Sequence, residues 1–101
     1  MSNQNLAQQL NILLEKNLFK DSLELLEINL KKNPLLNKNS DFLNIYGLIQ
    51  LSLKDWEQAI RYFKKATEID INFRPAYFNL GLAYYDSVSY THLRAHETDS
   101  Y

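Results

Sequence analysis

Leu43-Asn44-Ile45-Tyr46-Gly47 and Tyr77-Phe78-Asn79-Leu80-Gly81 carry one pattern twice, and their glycines stand 34 residues apart. In each block a large residue precedes the glycine by four positions, one helical turn. A period of this length belongs to stacked helix pairs, in which each unit buries its apolar face only against its neighbours. Outward from the first block, Asp41 to Leu53 reads as one helix with Leu43, Tyr46, Ile49 and Gln50 along a side. Ser40 stands where an N-cap is wanted. A second helix opens after Asp55, with Gln58 completing a capping-box spacing. Its stripe of Trp56, Ala59, Ile60, Phe63, Ala66 and Thr67 is wide enough to bury against a neighbour, and it should fade near Asp70.

The second block opens the same way. Pro75 sits in a first turn, where proline costs least, and Tyr77, Leu80, Gly81 and Tyr84 carry that helix to about Asp86. A glycine within a helix costs about 1 kcal/mol relative to alanine. Its recurrence at the period implies close approach of a partner helix, with Gly47 expected to face Ala59. Upstream, Leu6, Leu10, Leu13 and Leu14 predict an amphipathic helix. After a break at Lys16-Asn17 the pattern resumes from Asp21 to Lys32 through Leu23, Leu26 and Leu30. Asn33-Pro34 ends it, because proline pushes the preceding residue out of helical geometry. The polar stretch Asn37 to Ser40 reads as the longest linker.

Residues 40–86 resemble the tetratricopeptide repeat (TPR). Leu43, Gly47, Ala59, Phe63 and Ala66 meet that family's order of large residue, glycine, alanine, aromatic, alanine. Trp56 takes the aromatic position that opens the second helix. Asn79-Leu80-Gly81-Leu82-Ala83-Tyr84 is a run typical of the family. Residues 3–34 fit less fully, through Leu6, Phe19, Ser22, Leu26 and Pro34, with Leu10 in place of the glycine and Asn29 in place of the second alanine. Phe19 and Trp56 lie 37 apart, so three extra residues follow Pro34. Ile71 stands where the family usually closes with proline. The resemblance implies an all-α fold of helix-turn-helix units stacked as a short right-handed solenoid. About two and a half units are expected, over 3–34, 40–73 and an incomplete 74–86.

The end of the chain resembles something else. Val88-Ser89-Tyr90-Thr91-His92-Leu93-Arg94-Ala95-His96-Glu97-Thr98 is similar to a translated sequencing-library adapter, agreeing at every codon in one frame. Residues 87–101 are therefore expected to be a non-native tail, with the natural protein interrupted near Asp86. Such an interruption would leave Leu80, Tyr84 and a face of Phe63 partly uncovered and make weak self-association of the fragment possible. Tyr90 stands 34 residues after Trp56, a match expected to be coincidence. His92 and His96 share a helical face at a spacing that zinc sites use. Glu97 follows them rather than standing between, and no third ligand is near, so no metal is expected.

Composition bounds the chemistry. The chain has 101 residues, 46% hydrophobic and 23% charged, with a net charge of −1. That balance gives no electrostatic case for nucleic acid or an anionic membrane. With no cysteine, disulfides and thiolate metal sites are excluded. No stretch approaches the roughly 18 apolar residues of a membrane span. Met1 to Gln9 is polar and uncharged, unlike a signal peptide, and a cytoplasmic location is expected. Outside the tail there is neither histidine nor cysteine, so neither the commonest general base nor the strongest protein nucleophile is present. Neither catalysis nor a cofactor is expected.

In TPR proteins the first helices of the units line a concave groove that holds extended peptides. Carried over by position, the groove falls on Asn44, Leu48 and Leu51, with Asp41, Ile45 and Ser52 beside them, and on Phe78, Asn79, Leu82 and Tyr85, with Asp86. Asn44 and Asn79 are the expected hydrogen-bonding groups for a peptide backbone. The basic residues of a carboxylate clamp are missing, so no clamp is expected. The resemblance implies a protein-interaction scaffold whose groove takes a peptide, a partner helix or further helices of the intact chain. The alternative is the leading repeat region of a larger enzyme, for example a glycosyl- or sulfo-transferase. Trp56 and Tyr62 read as core and rim, not as a recognition pair. Lys31-Lys32 and Lys64-Lys65 read as helix-end charges complementing the macrodipole.

Overall fold

The computed structural model describes the backbone of residues 3–99 and the side chains of residues 5–90. Described in chain order are α1 (Asn3–Glu15), α2 (Phe19–Lys32), a 3-10 turn (Pro34–Lys38), α3 (Ser40–Ser52), α4 (Trp56–Ile69) and α5 (Arg74–Asp99). No strand occurs among the described residues. Consecutive helices pack on one another, most extensively α3 on α4 and α4 on α5. The molecule is a short all-α helical-repeat solenoid.

The two helical hairpins turn by the same device. Leu18 N–H donates to Leu13 O at 2.9 Å and Asn17 N–H to Leu14 O at 3.0 Å. Between α3 and α4, Asp55 N–H donates to Gln50 O at 2.9 Å and Lys54 N–H to Leu51 O at 3.0 Å. Asn17 and Lys54 hold φ of 61° and 68°, the left-handed region that lets a helix close its last carbonyls and reverse. The Asp55 carboxylate then caps α4 by accepting from Gln58 N–H at 3.2 Å. The capping box is one-sided, because Asp55 N–H is already committed to Gln50 O. Asn39, not Ser40, caps α3. Its Oδ1 accepts from Asp41 N–H at 2.9 Å and Phe42 N–H at 3.3 Å, and Ser40 is the first helical residue.

The three extra residues after Pro34 wind the linker into the 3-10 turn, which drives Leu36 into the core. There Leu36 joins Leu10, Leu26, Phe42, Ile45 and Ile49 between the two hairpins. Ser22 is fully buried and satisfies its hydroxyl on Leu18 O at 2.9 Å, and Asn29 ties back to Leu25 O at 2.8 Å. Polar residues thereby replace the alanines of the second hairpin without leaving an unmet donor.

The nearest neighbour of Gly47 is Phe63 and not Ala59. A methyl group at Gly47 would collide with the Phe63 ring, and Phe63 is itself fully buried. The first hairpin exchanges this glycine–phenylalanine pair for Leu10 and Leu26, both fully buried.

The third unit departs from expectation. α5 does not end near Asp86 but runs unbroken to Asp99. The residue 34 after Lys54 is Val88, whose branched Cβ makes a positive φ a steric outlier. With no residue able to take the reversing conformation, the helix continues. Its inner face, Ala76, Leu80, Ala83 and Tyr90, runs antiparallel along Ala66, Phe63, Ala59 and Trp56 of α4. Phe63 is therefore covered, Leu80 half-buried and Tyr84 44% exposed. Tyr90 stacks on Trp56 with ring centroids 4.5 Å apart, so its register with α4 has a packing consequence. The side chains of His92 and His96, and with them the histidine pair, lie outside the described residues, as do those of the rest of the 91–101 tail.

Candidate peptide-binding groove

A concave cleft of about 470 Å3 opens between α1, α3 and the start of α5. Asn11, Asn39, Asp41 and Asn44 supply its polar lining. Phe42, Ile45, Leu48, Phe73 and Pro75 form apolar walls, and Ala7 on α1 keeps the floor open. These side chains reach one space because α1 and α3 are the first helices of consecutive hairpins and lie side by side.

Asn44 is buried, and its Oδ1 accepts from Asn79 Nδ2 at 2.9 Å. This bond joins α3 to α5 and aligns the two asparagines that the sequence singles out. It also occupies part of their hydrogen-bonding capacity, leaving the Asn44 amide nitrogen and the Asn79 carbonyl as the groups to offer a ligand. Leu48 has two roles, lining the cleft and packing on the Ala59–Phe63–Ala83 cluster. Leu51 belongs to that cluster and is not among the residues lining the cleft. Phe78 and Tyr85 are 70% and 71% exposed on α5, with Leu82 between them at 40%. They form an open apolar row along α5 and are not among the residues that line the cleft.

The groove residues that sequence reasoning missed are Ala7, Asn11, Asn39, Phe73 and Pro75. A signal for two of them was present. The 37-residue offset between Phe19 and Trp56 carries Asn44 onto Ala7 and Leu48 onto Asn11. Phe73 and Pro75 gave none, because they line the cleft from the residue before α5 and from its first turn.

Trp56 and Tyr62 do not pair with each other; both are half-buried, and Tyr62 packs against the Leu43–Ala66–Ala76 cluster. Tyr62 stacks on Tyr46, with ring centroids 4.0 Å apart and planes inclined by 14°, while Trp56 takes Tyr90. Burial, then the hydrogen bond with Tyr62 and the charges of Tyr62 and Glu27, push the Tyr46 phenol well above the usual tyrosine range. Lys65 lies 5.6 Å from the Tyr62 ring and Lys64 5.8 Å from that of Tyr84. Those lysines thus serve aromatic faces and not the last turn of α4, whereas Lys31 and Lys32 do close α2.

Among the described residues no three His, Cys, Asp or Glu side chains converge as a metal site. No helix among them is long and apolar enough to cross a membrane. Paired helices with a concave cleft lined by amides, one carboxylate and apolar groups are the architecture of a helical-repeat scaffold for binding proteins. Residues 47–87 match the family model for the TPR repeat. The matched stretch runs from the middle of α3 through α4 and into α5 and is similar to that family. Comparison with curated proteins gave no match.

Proposed function

We propose that the cleft between α1, α3 and the start of α5 holds an extended peptide that presents a basic side chain, or a free amino terminus, to Asp41. The observation that carries this reading is the composition of the cleft. Four amide or carboxylate side chains line it among apolar walls, and no lysine or arginine does. Asparagine amides can serve a peptide's N–H and C=O groups alike. Asp41 adds a single negative charge, exposed at the rim, which selects cationic partners and repels acidic ones. The chain performs no chemistry on its ligand in this reading.

The test is fluorescence anisotropy with a panel of labelled extended peptides identical but for one residue, lysine, alanine or glutamate. The lysine peptide should bind tightest, and Asp41→Asn should remove its advantage while leaving the helical circular dichroism unchanged. Equal binding across the panel, or preference for the glutamate peptide, would refute the charge assignment. Loss of nothing on Leu48→Ala or Asn44→Ala, in variants that remain folded, would refute the location.

A further inference from the structure

We propose that Tyr46 and Tyr62 form an oxidative modification site, at which a one-electron oxidant joins the two rings as dityrosine and staples α3 to α4. The observation that carries this is their stack. The ring centroids lie 4.0 Å apart and the planes are inclined by 14°. The two hydroxyls share a hydrogen bond, so both rings point the same way and the carbons flanking each hydroxyl face one another. A tyrosyl radical carries much of its unpaired electron on those carbons, in orbitals perpendicular to the ring. Stacked rings therefore present the reacting orbitals to each other before oxidation begins. The contact of Trp56 with Tyr90 lacks this arrangement, since its planes are inclined by 38° and the indole has no hydroxyl. Tyr46 and Tyr62 are also half-buried, within reach of a small oxidant while α3 and α4 hold them as a pair. Tyr77, Tyr84, Tyr85 and Tyr90 are exposed, and none of them stacks on another tyrosine among the described residues.

In the reaction each ring loses one electron to the oxidant and its hydroxyl proton to solvent, giving two phenoxyl radicals. Their ortho carbons join in a new C–C bond. The hydrogen on each joined carbon then moves to the phenolic oxygen through solvent, which restores both phenols. The chain is thereby oxidised by two electrons and loses two hydrogens. Hydrogen peroxide, as terminal acceptor, takes both electrons and two protons and leaves as two molecules of water. The Glu27 carboxylate, whose charge acts on Tyr46, favours loss of the electron there. The Lys65 ammonium, 5.6 Å from the Tyr62 ring, opposes it, so Tyr46 is oxidised first. The bond closes the turn through Lys54 into a covalent loop, which narrows the unfolded ensemble, and it fixes α3, which lines the cleft, against α4.

Oxidation of the full chain at low concentration tests it, with photoexcited ruthenium tris-bipyridyl as oxidant and persulfate as terminal acceptor. The monomer should lose the mass of two hydrogens and gain the blue emission of dityrosine. Trypsin should release residues 39–54 joined to residues 62–64. Tyr46→Phe and Tyr62→Phe, each keeping its ring, should abolish the joined product, whereas Tyr77→Phe should retain it; circular dichroism checks that all three are folded. Oxidation in urea should abolish it as well, and the purified cross-linked monomer should melt above its parent. Dityrosine that is absent from the monomer or found only between chains overturns the proposal. So does a joined product that persists in urea or in either phenylalanine variant of the pair. A cross-linked monomer that melts no higher than its parent overturns the stapling of α3 to α4.

Discussion

The Phe63 ring occupies the volume in which residue 47 would carry a side chain, so α3 and α4 approach closely there. Because Phe63 is fully buried, the ring cannot swing aside into solvent. Overpacking of this kind costs about 1–3 kcal/mol, more than the helix propensity gained from alanine. Gly47→Ala should therefore destabilise the chain.

Gly81→Ala should act in the opposite direction. With no neighbour to displace, the substitution keeps only the propensity gain of up to about 1 kcal/mol. Urea melts of the two variants, followed by far-ultraviolet circular dichroism, should move their midpoints to opposite sides of the parent. Shifts of the same sign would contradict the difference in packing.

Lys54 holds φ of 68° in the turn between α3 and α4. The left-handed region costs a residue bearing Cβ about 1–2 kcal/mol, only part of which glycine returns, since it is also freer when unfolded. Lys54→Gly should stabilise by about 0.5–1 kcal/mol. Asn17→Gly, from a residue that tolerates this region, should change stability less. Thermal melts rank the two, and a larger gain at Asn17 would count against the turn geometry.

Asn44 and Asn79 depend on each other through their 2.9 Å bond. Replacing either by alanine should cost about 1–2 kcal/mol, as a partly buried amide loses its partner. The double variant should cost less than the sum, with a coupling of about 0.5–1 kcal/mol in a double-mutant cycle. Strict additivity would show that the bond contributes nothing to stability.

Burial and its hydrogen bond with Tyr62 raise the Tyr46 phenol above its unfolded value. The folded state therefore holds this proton more tightly than the unfolded state does. The associated stability is fully present below about pH 10 and is lost as pH rises above it. Tyr46→Phe should flatten the decline of the melting temperature between neutral pH and pH 11. Ultraviolet titration should show one late tyrosinate in the parent chain, absent from the variant.

The helix pairs were legible because glycine, alanine and aromatic positions recur at a fixed period, and Asp55 and Pro34 mark boundaries through local chemistry. The lining of the cleft was legible in part. Asn44 and Leu48 follow from their place on a first helix, but Leu51 falls on the side turned to α4, which spacing alone does not separate from the concave side. Asn39 over Ser40 as the cap depends on where the 3-10 turn leaves the chain, a consequence of Leu36 being drawn inward. The partner of Gly47 depended on how far α4 slides along α3, and no periodicity encodes that. The length of α5 could have been read from Val88, since the reversing position of the earlier turns is there occupied by a branched residue.

The seating of Tyr90 on Trp56 gives the chain a built-in optical gauge. Trp56 is its one tryptophan, it opens α4, and its indole Nε1 is buried without an acceptor among the described residues. Lifting the far part of α5 would let that nitrogen reach water, offsetting part of the lost stacking and making this end the first to fray. Such fraying reddens indole emission while the helical ellipticity of the four preceding helices persists. The colour of one residue thus reports local detachment separately from global unfolding, without a label.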